Sequence, residues 1–386
     1  MTRLQIVEFL LHVVIFIMGA NIGSFLNVVI YRLPLGISLS NPRRSFCPHC
    51  KTQIPWRRNI PLLTWLLQRG KCDSCKAPIS VRYFIVELVT SLLFFAVFLK
   101  YKGPWNEMTQ WGDMVLIYWI FTALLIAGTF IDIDHYILPH EITVGGLVVG
   151  LLGSFLIPEM MGEVERGRAI LLSFVSACIG LGLLWTVVEL GKLAFGRLKK
   201  QFDKPEAWSI SQPDEKEPPV FRIAGEDLSW LDIYTRPSDR LIITGPSITV
   251  NKETFKDAKA EIFMNKIKLH LKDGSMKMFE LEQVTHLEGQ GTNLVIPREA
   301  MGFGDVLLIA MIGSFLGWQA VLFTIVAASF LGSLLAILPR LIGKTEWTAK
   351  IPFGPYLAGG ALIWLFYGPQ LVHWYLTRTG LSEWGA

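Results

Sequence analysis

The chain has 386 residues, of which 52% are hydrophobic and 18% charged, and its mean hydropathy is +0.43. Apolar residues in this proportion, gathered into long uninterrupted runs, exclude a soluble enzyme and indicate an integral membrane protein. The formal net charge of +4 is small, so the distribution of charge along the chain carries more information than its total.

Eight apolar runs are long enough, or nearly so, to cross a hydrocarbon core of about 30 Å as helices. Helices are expected because backbone polar groups must be satisfied inside lipid. The first run is expected to be a retained span, since it lacks the small-residue cleavage pattern of a signal peptide. The runs lie near residues 6–31, 83–100, 114–134, 142–157, 168–196, 305–317, 319–339 and 356–377.

The loop between the first two runs is strongly basic. It carries ten lysines and arginines from Arg32 to Arg82 and a single acid, Asp73. By the positive-inside rule this loop is predicted to be cytoplasmic, together with the loops near 197–303 and 340–355. Topology explains the basic residues better than nucleic-acid binding does, so no nucleic-acid partner is expected.

Two CxxC pairs in this loop give the strongest chemical signal. Cys47 and Cys50 form the first pair, and Cys72 and Cys75 form the second about twenty residues later. Two such turns can present four thiolates at the corners of a tetrahedron, which suits a structural Zn²⁺ ion. Disulfides are rare in the cytoplasm, so metal binding is favoured over disulfide bonding.

Acidic residues at the edges of the apolar runs form a second constellation. Asp132 and Asp134 end the third run and Asp305 begins the sixth, so all three are predicted at the cytoplasmic side. Asp305 alone also fits a helix N-cap. Facing one another, two aspartates can activate water and protonate an amide leaving group, as in aspartic peptide hydrolysis. Glu87 is a further intramembrane acid, either a partner for a cation or part of a binding cleft.

Two glycines of the same motif, Gly302 and Gly304, are predicted to let a substrate backbone approach closely. Between the fifth and sixth runs lies a polar insert, which begins as a linker containing Pro205. A hairpin is predicted at Asp273-Gly274 and a further strand pair around Gly245-Pro246. The insert is expected to form a small β-rich domain of about 60 residues with an accessory docking or regulatory role.

The predicted fold is therefore an all-α polytopic membrane protein of about eight transmembrane helices, with a cytoplasmic zinc-knuckle loop and a small β-rich cytoplasmic insert. Its predicted parts are the first span at 1–31, the zinc loop at 32–82, spans two to five at 83–197, the linker and insert at 198–297, and spans six to eight at 298–386.

Along its length the chain carries the motifs GSFLNVVIYRLP, the two CxxC pairs, NIPLLTWLLQRGKC, PISVRYFIVEL, IDIDHYILP, REAMGFGD and IPFGPYLA. In this combination they resemble the type IV prepilin peptidase family, the bifunctional leader peptidases and N-methyltransferases of pilus and type II secretion systems. The resemblance covers nearly the whole chain apart from the insert. GxGD alone is less specific, because other intramembrane aspartic proteases share it.

The resemblance implies a catalytic pair of Asp132 and Asp305. The first family aspartate precedes the proline of its Leu-Pro pair by seven residues, and this spacing selects Asp132 with Pro139. The implied activity is cleavage of the basic leader of prepilins or pseudopilins after a glycine, at the cytoplasmic face of the bacterial inner membrane. Methylation of the new N-terminal residue from S-adenosylmethionine is implied as well.

The sequence does not locate a pocket for the methyl donor; the resemblance directs attention to the segment around Asn27 and Arg32 and to the zinc loop. Two positions depart from the family pattern, which often has an acid at His140 and a lysine at Leu307. Alternative functions are another GxGD-type protease, a transporter and an assembly scaffold with a zinc loop. The absence of a sequence repeat disfavours a transporter, and a scaffold leaves the aspartate motifs unexplained.

Overall fold

The computed structural model describes two compact units. The first comprises Met1–Trp185 and Gly302–Ala386, and the second comprises Thr186–Met301. The residues described are 3–41, 46–47, 49–55, 59–104, 108–195, 197–212, 219–234, 239–251, 253–297, 302–341 and 352–379. Part of the REAMGFGD motif, residues 298–301, and Ile351 of the last motif lie outside them.

Helices build the first unit, and a β-sheet with one four-residue helix builds most of the second. The helices are α1 (Arg3–Arg32), α2 (Leu63–Leu67), α3 (Val81–Tyr101), α4 (Met108–His135), α5 (His140–Leu156), α6 (Arg166–Phe195), α7 (Trp230–Ile233), α8 (Phe303–Leu341) and α9 (Gly354–Thr379). The strands are β1 (Arg197–Ser211), β2 (Val220–Ile223), β3 (Glu226–Ser229), β4 (Arg240–Val250), β5 (Glu253–Phe263), β6 (Lys266–His270), β7 (Met276–Glu280) and β8 (Leu287–Pro297).

The predicted apolar runs coincide with helices. The sixth and seventh runs are two helical segments of α8, separated at Gly317, where φ is 83° and ψ is 172°. Glycine adopts this backbone conformation without steric cost. Five helices in the described part of the chain are long and apolar enough to cross a membrane, and α5 is a shorter apolar helix. The chain is thus a multi-pass membrane protein, whereas the number of eight spans stays a prediction.

Small residues bring α1 and α3 into close contact. A Cβ atom added at Gly19 would lie 2.7 Å from Cα of Ser91, and one at Gly23 would lie 2.7 Å from Cα of Glu87. Gly19 and Gly23 are four residues apart, which is the small-xxx-small spacing that lets membrane helices approach. This packing fixes the start of α3 beside the second half of α1.

An apolar core at one end of the helical unit joins α1, α3, α4 and α5. Ile30 and Val86 are fully buried there, and Ile131 of α4 packs with them next to Asp132. Ile142 contributes from the first turn of α5. Burial of these branched side chains sets the position of the last turn of α4.

The second unit is an eight-stranded antiparallel sheet in the order β3-β2-β1-β8-β4-β5-β6-β7. The hairpin predicted at Asp273-Gly274 is present between β6 and β7, with Gly274 at φ 83°. The strand pair predicted around Gly245-Pro246 is wrong, because β4 runs straight through both residues. Pro246 is tolerated there since the pairing of β4 skips it on both the β5 and the β8 side.

The segment predicted as a linker is a β-strand in the structure. It forms strand β1, which pairs with β8 from Arg197↔Pro297 to Ile210↔Leu287. Pro205 lies where the register shifts between Gln201 and Glu206, so its missing N–H interrupts no ladder bond. Pro213 and Pro218, which the sequence also places in the predicted linker, fall outside the described residues.

Candidate active site and metal centre

Asp132 lies in the last turn of α4 and is 5% exposed. The helix ends just beyond it: Tyr136 has a φ of 56°, and its N–H donates to the Asp132 carbonyl at 2.9 Å. Pro139 then precedes the first residue of α5, where a fixed φ is compatible with a helix start. The IDIDHYILP motif is therefore a tight connection between two helices, with Asp132 on its buried side.

Asp305 lies in the first turn of α8 and is 8% exposed. Its backbone N–H donates to the carbonyl of Gly302 at 3.2 Å. Its Oδ1 atom is buried and has no hydrogen-bond partner among the described residues. A buried carboxylate oxygen without a partner is costly unless a water molecule or a ligand meets it.

The two aspartate motifs are in direct contact. A Cβ atom at Gly304 would lie 2.8 Å from Cβ of Leu138, so the glycine admits the Leu-Pro connection that follows Asp132. The close approach predicted for a substrate at this glycine is made instead by Leu138 of the same chain. Among the described residues, the atom nearest to a Cβ at Gly302 would be Oδ2 of Asp305, at 3.8 Å.

A third segment, the FGPY stretch, completes the arrangement. The backbone N–H of Gly354, the first residue of α9, donates to Oδ2 of Asp132 at 2.9 Å. Asp132 and Asp305 are near enough for their charges to interact. The ends of α4, α8 and α9 thus meet around two buried carboxyl groups that are 173 positions apart in the sequence.

Asp134 occupies a different environment. Its carboxylate forms an ion pair with the guanidinium of Arg82, in the first turn of α3, and both side chains are partly exposed. The neighbouring acid of the motif is therefore already paired, whereas Asp132 accepts from a backbone N–H.

Two neighbouring carboxyl groups that share one water molecule are the machinery of aspartic peptide hydrolysis. One carboxylate can then take a proton from the water while the other donates a proton to the substrate. Oδ1 of Asp305 has no hydrogen-bond partner among the described residues and can meet a water molecule. Oδ2 of Asp132 is held in place by the Gly354 N–H. This arrangement suits amide hydrolysis.

The four predicted cysteine ligands cluster in the basic loop. The sulfur atoms of Cys47, Cys50, Cys72 and Cys75 all lie within 4.8 Å of one another. Sulfurs bound at about 2.3 Å to a tetrahedral zinc ion are about 3.8 Å apart, and Sγ of Cys47 lies 3.8 Å from Sγ of Cys75. The cluster can therefore hold a metal ion, and its dimensions fit zinc.

Both cysteine turns have the same backbone geometry. Lys51 donates its N–H to the Cys47 carbonyl, and Lys76 donates to the Cys72 carbonyl, each at 2.9 Å. Both lysines have a positive φ, of 57° and 60°. A tight turn of this kind points two thiolates to the same side, which explains why the four sulfurs converge.

Three polar residues in or beside the loop that carries the cysteines, residues 32–82 and called the metal loop below, are also buried. Asn27 donates from Nδ2 to the Tyr83 carbonyl at 3.0 Å, and Arg32 donates from Nη1 to the Ser38 carbonyl at 3.0 Å. Glu87 accepts from the backbone N–H of Leu62 at 2.7 Å. Glu87 therefore contacts the metal loop through a backbone group.

Two residues of this site carry no prediction from the sequence. Gly354 belongs to a quoted motif, yet nothing in IPFGPYLA signals a hydrogen bond to Asp132. For Arg82 the sequence predicts only a positive charge in the cytoplasmic loop. Of the two positions that depart from the family pattern, His140 is the first residue of α5 and Leu307 is buried.

Comparison with known proteins gives two family matches. Residues 17–101 match the bacterial peptidase A24 N-terminal domain, and residues 278–337 match the type IV leader peptidase family. The first match contains the four cysteines and the second contains Asp305. Asp132 falls between the matched segments. No solved structure matches the chain.

Full-length relatives extend the similarity. A prepilin leader peptidase/N-methyltransferase of Aeromonas hydrophila is 28% identical over 391 aligned positions, which cover 94% of this chain and 93% of the relative. A protein of the same description from Myxococcus xanthus is 45% identical over 37% of this chain and 40% of its own length. A type 4 prepilin-like proteins leader peptide-processing enzyme of Escherichia coli is 39% identical over 41% of this chain and 62% of its own length. With both family models matched and the Aeromonas hydrophila relative aligned almost end to end, the chain belongs to the type IV prepilin peptidase family.

Proposed function

We propose that this chain is a membrane aspartic endopeptidase that removes the basic leader of type IV prepilins or pseudopilins after a glycine, on the cytoplasmic side, and then methylates the new N-terminal residue. The observation that carries the peptidase proposal is the buried pair of Asp132 and Asp305, brought together from two distant motifs. The descriptions of the relatives name both activities.

In the proposed reaction, Asp132 and Asp305 share one proton and hold the attacking water between them. One carboxylate accepts a proton from the water as its oxygen attacks the carbonyl carbon of the leader glycine. The other carboxyl group protonates the leaving nitrogen when the C–N bond breaks. The N–H of Gly354 keeps Oδ2 of Asp132 fixed, which leaves the other oxygen to face the water.

Asp134 is not given a catalytic role because its carboxylate is paired with Arg82. Its ion pair connects the start of α3 to the end of α4. We assign it the role of holding these helix ends together, so that the catalytic pair is made by Asp132 and Asp305 alone.

Substrate orientation follows from the predicted topology. The end of α4 and the start of α8 lie on the same side as the basic loop if the positive-inside rule holds. The apolar helix of a prepilin would lie in the bilayer while its basic leader reaches the aspartates from the cytoplasm. The four cysteines would bind a structural Zn²⁺ ion that keeps the loop folded beside the start of α3.

The direct test uses the purified full-length chain and a prepilin with a basic leader, glycine and phenylalanine. Mass spectrometry of the products should show cleavage after the glycine. The mature fragment should gain one methyl group only when S-adenosylmethionine is present. A matched substrate in which the leader glycine is replaced by valine should remain uncut. An intact first substrate, or cleavage at another bond, would overturn the proposed peptidase function.

A further inference from the structure

The short helix α2 of the metal loop leaves its leucines largely uncovered. Leu67 is 81% exposed, and Leu63 and Leu66 are each more than half exposed. Ile60, just before the helix, is nearly half exposed as well. Large apolar side chains grouped so closely are unusual on a surface that meets water, because their exposure costs free energy. The surface made by Ile60, Leu63, Leu66 and Leu67 is called the α2 surface below.

The start of α2 lies beside a part of α3 that is inside the bilayer. The backbone N–H of Leu62 donates to Oε2 of Glu87 at 2.7 Å. Helix α3 has 21 residues, which make about 31 Å of helix and match a hydrocarbon core of about 30 Å. Glu87 comes six residues after Val81, the first residue of α3, and thus lies about 9 Å along the helix. The loop therefore reaches below the level at which α3 enters the membrane.

Trp65 holds α2 against the beginning of α3. Its indole Nε1 donates to the Ile79 carbonyl at 3.3 Å, and its ring packs on Phe84 with the centroids 5.2 Å apart. The chain turns back at Gly70, which has a φ of 65° and where a Cβ atom would lie 3.0 Å from the Trp65 ring. Trp65 thus faces α3, and the exposed leucines lie on sides of α2 that the described residues leave largely uncovered.

The backbone before α2 is satisfied in the way that lipid requires. The N–H of Ile60 donates to the Thr64 hydroxyl, and the N–H of Thr64 donates to the Ile60 carbonyl, each at 3.0 Å. Position 61 is a proline and has no N–H, and the N–H of Leu62 is bound by Glu87. Irregular backbone is tolerated at membrane depth only where its polar groups are satisfied within the protein.

Glu87 is the intramembrane acid that holds this turn. Its side chain is buried, and its carboxylate accepts from Leu62. Leu62 has a φ of 62°, a conformation that residues with a Cβ rarely adopt. A strained turn of the loop is therefore fixed to a helix at a depth where water is absent.

We propose that the α2 surface is embedded in the interfacial region of the lipid bilayer, beside the start of α3, where its leucines contact lipid acyl chains. Lipid is the occupant because the depth of Leu62 puts the surface at the level of the hydrocarbon, and apolar side chains are stable there. The exposed cations Arg69 and Lys71 follow α2, as expected for a segment that returns to the headgroups. The metal loop is then anchored in the membrane at its middle, whatever reaction the chain catalyses.

Photo-cross-linking tests this on the full-length chain in lipid nanodiscs. Leu67 is replaced by benzoylphenylalanine, which forms covalent bonds with neighbouring C–H groups under ultraviolet light. Mass spectrometry should find phospholipid adducts on the peptide that contains position 67. The same replacement at Leu92, exposed on α3, is the positive control, and at Lys272, 81% exposed in the sheet unit, the negative one. Lipid adducts at 92 but not at 67, or equal adducts at 67 and 272, would overturn the proposal.

The same protein distinguishes lipid from a substrate helix. A prepilin is added to the nanodiscs before irradiation. Lipid adducts at position 67 that persist support the proposal. Adducts to the prepilin that replace them would identify the α2 surface as a substrate-docking surface and overturn it. Because this readout does not require cleavage, a chain that fails to cut the prepilin still gives an answer.

Substitution of the leucines gives a second, independent test. Leu66→Asp combined with Leu67→Asp should be expelled from the hydrocarbon, so protease should cut residues 33–80 in nanodiscs at least about fivefold faster. Zinc content should be unchanged, since neither residue belongs to the cysteine cluster. The matched control, Lys76→Asp, changes the net charge by the same amount at a residue that is 72% exposed in the same loop. Equal cutting of the two variants would contradict the proposal.

Discussion

At the scale of single residues, Gly354 fixes the position of the Asp132 carboxylate. Its N–H donates to Oδ2, and a Cβ atom at this position would lie 2.7 Å from the same oxygen. Only a residue without a side chain allows both the hydrogen bond and the close approach. The glycine therefore determines where one half of the proposed pair sits.

Gly354→Ala should lower the rate of prepilin cleavage by about tenfold to a hundredfold, because a displaced catalytic group loses its alignment with the scissile bond. The matched control is Gly359→Ala in the same helix, where the one described atom within 4 Å of the added Cβ would be Leu331 Cδ1, at an ordinary 3.7 Å. Initial rates with one prepilin substrate measure both. Equal rates for the two variants would show that Gly354 does not position Asp132.

The ion pair of Asp134 gives a second prediction at this scale. Partly exposed ion pairs contribute about 0–1 kcal/mol to stability, so Asp134→Asn should cost less than about tenfold in cleavage rate. Cleavage assays on purified Asp134→Asn check this. A loss as complete as that expected for Asp132→Asn would move the first catalytic aspartate to position 134.

The roles of single residues could be predicted from the sequence only where a motif contains side chains with a known chemistry. The cysteine spacing was sufficient to predict the four-sulfur cluster, which is confirmed as a group able to hold a metal. The contact between Gly354 and Asp132 spans 222 positions, and glycine carries no functional group to announce it. Likewise, the space beside Gly304 was predicted to serve a substrate but is occupied by Leu138.

At the scale of elements, the metal loop is the part most dependent on a ligand. Its described residues form only the five-residue helix α2 and two isolated β-bridges, Phe46↔Gln53 and Lys71↔Pro78. Such a segment has little regular structure to stabilise it. The bound metal is expected to supply much of the free energy that keeps it folded.

Metal analysis of the purified chain should find about one zinc ion per chain, and Cys47→Ser combined with Cys72→Ser should remove it. The double variant should also be cut faster by protease between residues 33 and 80, since the loop loses its cross-link. Cys178→Ser is the control, because this exposed cysteine lies outside the cluster. Full zinc content in the double variant would refute the assignment of the ligands.

Secondary structure was predictable where the signal is local. The Asp273-Gly274 turn needs only its own residues to adopt a positive φ, and that hairpin is confirmed. At Gly245, by contrast, an added Cβ would lie on the Gln290 carbonyl of the neighbouring strand β8, so the glycine marks close strand packing rather than a turn. Pro205 and Pro246 lie at irregular positions of the pairing that are visible only in the assembled sheet.

At the scale of the whole molecule, the helical unit is built from two segments of the chain that the sheet unit separates. Asp132 comes from the first segment, and Asp305 and Gly354 come from the second. Insertion of a long segment is thermodynamically inexpensive when its ends are close, so the sheet unit need not disturb the pair. The central claim is that these two distant aspartates act as a single catalytic unit.

The most direct measurement compares prepilin cleavage by wild type, Asp132→Asn, Asp305→Asn and the double variant, with Asp113→Asn as a control at the exposed far end of α4. Each single substitution should lower the rate by at least about a hundredfold, and the double variant should be no slower than either, because members of one catalytic unit are not additive. Asp113→Asn should cut like wild type. Near wild-type cleavage by either single variant, or losses that multiply in the double variant, would contradict the account.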